Sequence, residues 1–123
     1  MSRIRKSFLV AAVLAPAALV LAVSAFGGAT GTAVTAPRVT VSMTEFKFAL
    51  KPKTAKKGAV VFTVVNKGTI AHDFKIAGKK TRSVAAGKRT TLRVTFKRAG
   101  RYRYLCTLPS HAPAGMRGVL VVK

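Results

Sequence analysis

The chain has 123 residues, 23 Lys+Arg against 2 Asp+Glu, a formal net charge of +21 and a single cysteine. One domain is expected at this length, and one cysteine closes no disulfide within the chain. Cys106, His72 and His111 are its only Cys and His residues, which excludes a four-ligand zinc finger and the several histidine-rich centres of a multicopper oxidase. Glu45 and Asp73 are the only carboxylates, so hydrolysis by paired carboxylates would need both.

Residues 1–25 have a basic head (Arg3, Arg5, Lys6), an apolar run from Phe8 to Val23, and small residues at Ser24 and Ala25. This is the layout of a secretory signal peptide, with cleavage expected after Ala25 and Ala33 as the alternative position. An uncleaved anchor is the rival reading, because the apolar run approaches the ~18–20 residues that span a bilayer; Pro16 and the short length favour cleavage. Arg3 and Arg5 are not adjacent, so there is no twin-arginine signal and the chain is expected to cross the membrane unfolded, taking up any metal outside the cytoplasm. That predicts a periplasmic, extracellular or envelope-associated protein. Residues 26–37 (FGGATGTAVTAP) are small, uncharged and turn-rich, a flexible lead-in; the domain proper is expected over 38–123.

From Arg38 the apolar residues follow a period of two. Val39, Val41 and Met43 alternate with Thr40, Ser42 and Thr44, and then Phe46, Phe48 and Leu50 with Lys47 and Ala49, which is strand patterning. After Lys51-Pro52-Lys53 and Gly58, the run AVVFTVV (59–65) is apolar on both faces, as in a central strand, and Asn66-Lys67-Gly68 ends it. A further strand is predicted from Ile70 to Ala77. Leu92, Val94 and Phe96, then Tyr102, Tyr104 and Cys106 across Ala99-Gly100, read as a hairpin with one apolar and one basic face. Val119 to Val122 makes the last strand. Seven to eight short strands with no helical run beyond a turn or two predict an all-β Greek-key sandwich.

The chemistry concentrates in two segments. The first, Asn66 to Phe74, carries His72 at a strand start after a turn. The second runs from Cys106 to Met116 with the spacing C-x4-H-x4-M, in a loop of small residues and prolines between two strands. A thiolate at a strand end, the imidazole of His111 partway round the loop and the thioether of Met116 at its far end can converge on one point, and His72 from a neighbouring strand completes the set. Two imidazoles, one thiolate and a weak thioether are the ligand set of an electron-transfer copper site.

The loop CTLPSHAPAGM, the segment HDF preceded by N-x-G, and the strand-rich frame resemble the cupredoxins, the small blue copper proteins of the plastocyanin, amicyanin and azurin type. The resemblance covers 38–123. It implies a Greek-key sandwich with one type 1 copper ion, one-electron transfer, and metal ligands at His72, Cys106, His111 and Met116. The residue after the first histidine is commonly Asn in that family, where it braces the two ligand loops. Here it is Asp73, which is expected to accept a hydrogen bond from the backbone near Thr107 and hold the Cys106 loop. Glu45 receives no role.

An enzyme would use Cys106 as a nucleophile activated by His111 or His72, but no oxyanion-hole motif or nucleophile turn accompanies it, and no catalytic residues are assigned. Nucleic-acid or polyanion binding is prompted by a charge of +18 after cleavage, 20 basic residues against 2 acidic. Single-strand binders interleave aromatics with basic residues on one surface, whereas here the parity of 92–104 sends them to opposite faces, and export argues against nucleic acid. Copper carriage without electron transfer uses the same ligands and stays open. The expectation is an exported, monomeric one-electron carrier whose partners are acidic redox proteins, with adhesion to an anionic envelope surface as the other use of the charge. Leu108, Pro109, Ala112, Pro113 and Ala114 are expected to ring the edge of His111 as the electron exit.

Overall fold

The computed structural model describes residues 35–123; the predicted signal peptide and most of the lead-in lie outside the described residues. The described chain forms nine strands: β1 (Arg38–Thr44), β2 (Lys47–Lys51), β3 (Thr54–Ala55), β4 (Gly58–Asn66), β5 (Lys75–Ile76), β6 (Lys79–Lys80), β7 (Arg89–Phe96), β8 (Gly100–Leu105) and β9 (Arg117–Val122). They build two sheets, of order β2-β1-β4-β7 and β3-β9-β8-β5-β6. The pairs β1–β4 and β3–β9 are parallel and the others antiparallel, so the architecture is the all-β sandwich that the alternation predicted. No helix among the described residues is long and apolar enough to cross a membrane.

Period-two patterning places one set of side chains between the sheets. Val39, Val41 and Met43 of β1 and Val60, Phe62 and Val64 of β4 are buried, while the alternate positions of β4 are only partly covered. β4 is central, between β1 and β7. Phe62 packs on Phe74 with ring centroids 5.3 Å apart and on Phe96 at 6.2 Å, and Phe74 meets Phe48 and Tyr104 at 5.5 and 5.6 Å. This aromatic chain links both sheets and anchors Phe74, two residues beyond His72.

Two expectations are corrected. The runs 92–96 and 101–105 do not form a hairpin: β7 pairs with β4 over eight residue pairs, whereas β8 pairs with β9, so the chain crosses between sheets at Lys97–Ala99. The alternation holds, with Val94 and Phe96 buried and Arg93, Arg101 and Arg103 exposed. The crossover puts Arg93 on a different sheet from Arg101 and Arg103. The strand predicted over 70–77 shrinks to Lys75–Ile76; His72 makes only an isolated bridge to Val84. Two-residue strands at 54–55 and 79–80 were not predicted.

Phe62 is fully buried at the centre of the aromatic chain, and deleting such a ring removes its burial energy and leaves a cavity. Phe62→Ala should lower the unfolding free energy by about 3–5 kcal/mol in urea titrations with an unchanged m value. A loss below about 1 kcal/mol would mean that the two sheets do not close on this ring.

Candidate metal centre

The first donor-bearing segment is built by buried Asn66 at the end of β4. Its Nδ2 donates to the carbonyls of Ile70 and Val84, both at 2.8 Å, and its Oδ1 accepts from the N–H of Gly68 at 2.9 Å. These bonds hold the 66–70 turn against Val84, whose main chain exchanges two hydrogen bonds with His72, at 3.1 and 2.7 Å. His72 is thus fixed at both backbone groups and is fully buried.

The second segment leaves β8 at Cys106 and returns at β9. Cys106 N–H donates to the Met116 carbonyl at 3.0 Å, and Met116 N–H to the His111 carbonyl at 3.1 Å, so the main chain of Met116 closes the loop on Cys106 and His111. Gly115 has φ of 121°, and a Cβ there would lie 3.1 Å from the Phe46 carbonyl; the closure therefore needs glycine. Met116 and Cys106 are buried, while His111 is partly exposed.

Asp73 ties the two segments together. Its Oδ1 accepts from the N–H of Thr107 at 2.6 Å, its Oδ2 accepts from the Thr107 hydroxyl, and its own N–H points at Cys106 Sγ from 3.5 Å. This is the brace expected of the residue after His72.

One donor atom each from His72, Cys106 and His111 lies within 4.8 Å of the others. His72 Nδ1 and His111 Nδ1 face each other at 3.1 Å, and His111 Nδ1 is 3.5 Å from Cys106 Sγ. Two ring nitrogens this close need a proton on one of them or a cation shared by both. Burial pushes the Cys106 thiol up from its ordinary pKa, more than the N–H groups of Asp73 and Leu108 bring it down; a thiolate here calls for a cation beside it. The donor set of two imidazoles and one sulfur, with Met116 at the end of the same loop, fits a type 1 copper site.

No local pattern singles out Glu45. From the turn after β1 its Oε1 accepts from the N–H groups of Thr69 and Ile70 at 2.7 and 3.1 Å, and it lies 3.2 Å from His72 Nε2. With Nε2–H donating to this carboxylate, the lone pair of His72 sits on Nδ1, toward the other donors. Gly68 permits the approach, because a Cβ there would overlap Glu45 Oε1. The hydrogen bonds from Thr69 and Ile70 lead in lowering the Glu45 pKa from 4.5 to about 2. Beside it, Phe46 stands edge-on to His111 with centroids 5.1 Å apart and is 38% exposed, joining the expected apolar rim.

A cupredoxin-like domain family model matches residues 12–122. The chain belongs to this family. No curated protein matches it by sequence. Among solved structures, this cupredoxin is similar to dithionite-reduced auracyanin from the photosynthetic bacterium Roseiflexus castenholzii, at 22% identity over 72% of this chain and 98% of that one, with a TM-score of 0.60. Auracyanin A, a "blue" copper protein from Chloroflexus aurantiacus, matches at 20% identity over 70% of this chain and 99% of that one, with a TM-score of 0.58. A copper-containing nitrite reductase from Thermus scotoductus matches at 18% identity and a TM-score of 0.57, over 72% of this chain but only 28% of its own length. At these identities the likeness is one of fold.

Glu45 gives a pH-dependent prediction. A carboxylate whose folded pKa lies below its unfolded value stabilises the fold fully above the unfolded value, and the contribution is lost as pH falls through the folded one. In the metal-free protein, wild type should therefore be more stable than Glu45→Gln above pH 4.5, and the gap should close as pH falls toward about 2. Denaturant titrations at stepped pH would show this; a gap unchanged down to pH 2 would mean that the carboxylate does not hold these N–H groups.

Proposed function

We propose that this cupredoxin is an exported one-electron carrier that holds a single copper ion through His72, Cys106, His111 and Met116. The observation that carries the reading is the convergence of three donors from two distant segments, two of them buried and the third, His111, at the surface. Export rests on the basic head and apolar run of residues 1–25. A non-enzymatic role is favoured because both carboxylates of the chain are engaged as hydrogen-bond acceptors beside the donors, with neither free for acid–base work. Burial of His72 and Cys106 favours a retained ion over one handed on as cargo.

Copper held by such a donor set supplies a one-electron Cu(II)/Cu(I) couple. The chain contributes positioning. Glu45 fixes the tautomer and ring plane of His72, Asp73 fixes Cys106 through Thr107, and the main chain of Met116 fixes the loop. With the donors held by their surroundings, a change of charge at the centre meets little rearrangement. His111 offers its ring to a partner through a rim of Phe46, Leu108, Pro109, Ala112 and Pro113, a patch suited to the small interfaces of weak redox encounters. Acidic redox proteins are the partners that suit the net charge.

The visible spectrum and redox titration of the copper-loaded protein test this directly. An intense blue band that bleaches reversibly is expected, and Cys106→Ser should abolish it while leaving the fold. A colourless, redox-silent copper complex would mean carriage instead. Because His111 is partly exposed and His72 fully buried, added imidazole should restore colour to His111→Ala far better than to His72→Ala. Equal rescue would count against an exit at His111. Met116→Leu should keep the colour and raise the reduction potential, since a thioether stabilises Cu(II) more than a hydrocarbon does; an unchanged potential would make Met116 a core residue only.

A further inference from the structure

The outer face of the five-stranded sheet carries a charge pattern that the metal centre does not use. Residues directly opposite in paired strands share a face. The pairs Lys80↔Lys75, Lys75↔Leu105 and Leu105↔Arg117 therefore set four side chains in one row across β6, β5, β8 and β9, about 14 Å long at the usual strand spacing. The next rows on that face are Arg103 beside Val119 and Arg101 beside Val121. Lys75, Lys80, Arg101, Arg103 and Arg117 are all exposed.

Like charges placed directly opposite destabilise a sheet, and Lys75 and Lys80 stand so with no acid to relieve them. The only two carboxylates, Glu45 and Asp73, are committed to the metal centre. A groove of about 580 Å³ opens on this face, lined by Arg103 and Arg117 together with Leu105, Val119, Tyr104 and Ala112. Ala112 is the neighbour of His111, so the groove runs up to the loop that presents the imidazole.

We propose that this groove and the basic row beside it dock an acidic segment of the redox partner. The proposal rests on the carrier reading for the partner being a redox protein. Arg103 and Arg117 pair with carboxylates, as guanidinium groups do with two parallel hydrogen bonds. Leu105 and Val119 take the apolar side chains between them, and Lys75 and Lys80 extend the track. A concave site with an apolar floor suits a polypeptide, whereas a lipid surface would draw on the charge of the whole molecule. The outer face of β7 is basic too, through Arg89 and Arg93, but there the exposed alternates are Thr91 and Thr95, and it belongs to the other sheet.

The test compares matched charge removals on the two faces, using the Cu(I)-loaded full chain and a peptide of ten glutamates as probe. Amide shift changes should gather at residues 103–105, 111–112 and 117–119. Arg103→Gln/Arg117→Gln should weaken binding roughly tenfold at low salt, and Arg89→Gln/Arg93→Gln less than about twofold. Equal weakening by both pairs, or shifts centred on β7, would make the charge a diffuse field, as for an anionic lipid surface, and overturn the dock. Oxidation of the same samples by hexacyanoferrate(III) reports the carrier reading separately: a protein that binds the peptide in the groove yet never cycles sinks that reading and leaves the dock standing.

Discussion

The centre depends on the contact between Asp73 and Thr107. Two segments 34 residues apart meet there, and closing so long a loop has an entropic cost that the contact must offset. Both oxygens of Asp73 are used on Thr107, and the N–H of Asp73 reaches back to Cys106 Sγ. The two pairs of neighbours, His72-Asp73 and Cys106-Thr107, are therefore held in register as two strands would be, although neither segment is in a sheet at that point. A charged acceptor makes stronger hydrogen bonds than the neutral amide usual at this position in the family. It also places a negative charge near the sulfur, one of the causes that raise the Cys106 pKa.

Both acids of the chain are engaged at the two segments that carry the clustered donors, and this joins the donor cluster to the charge excess. Glu45 accepts from main-chain N–H groups at the His72 segment, and Asp73 does so at the Cys106 segment. Neither is left to neutralise the surface. The excess of Lys and Arg therefore stands uncompensated on the outer faces of both sheets, and the positive field follows from where the few acids are spent as much as from the number of bases.

How much was legible varies with how local the signal is. The donors of the loop that meet His72, namely Cys106 and His111, could be picked out because C-x4-H-x4-M is a short-range pattern, and the brace because Asp73 adjoins His72. Glu45 was not readable: its partners are 24 to 27 residues away, and only the packing of the β1–β2 turn against the segment after β4 brings them together. The false hairpin shows the limit of alternation. A period of two fixes which side chains face inward, and it did so correctly for Val94, Phe96, Arg101 and Arg103. It does not say which strand pairs with which, and Ala99-Gly100 serves a crossover as well as a turn. Around His72 the alternation overestimated the strand, because Asn66 and Asp73 supply hydrogen bonds that a ladder would otherwise make.

A carrier of electrons needs a donor set that is rigid and yet open at one edge, requirements that conflict in most loops, since exposed loops move. The 106–116 loop meets both by bonding to itself. His111 N–H donates to Leu108, Ala114 N–H to Ser110, Met116 N–H to His111 and Cys106 N–H to Met116, so the loop is a chain of closed rings rather than a free arc. Ser110 takes a left-handed φ of 68° to allow this, at a cost of about 1 kcal/mol for a residue with a Cβ. The imidazole that follows it is carried to the surface on a frame anchored at both ends in the core, by Cys106 and by Met116. Exposure of His111 is then a matter of where the frame ends, and rigidity a matter of how it is bonded.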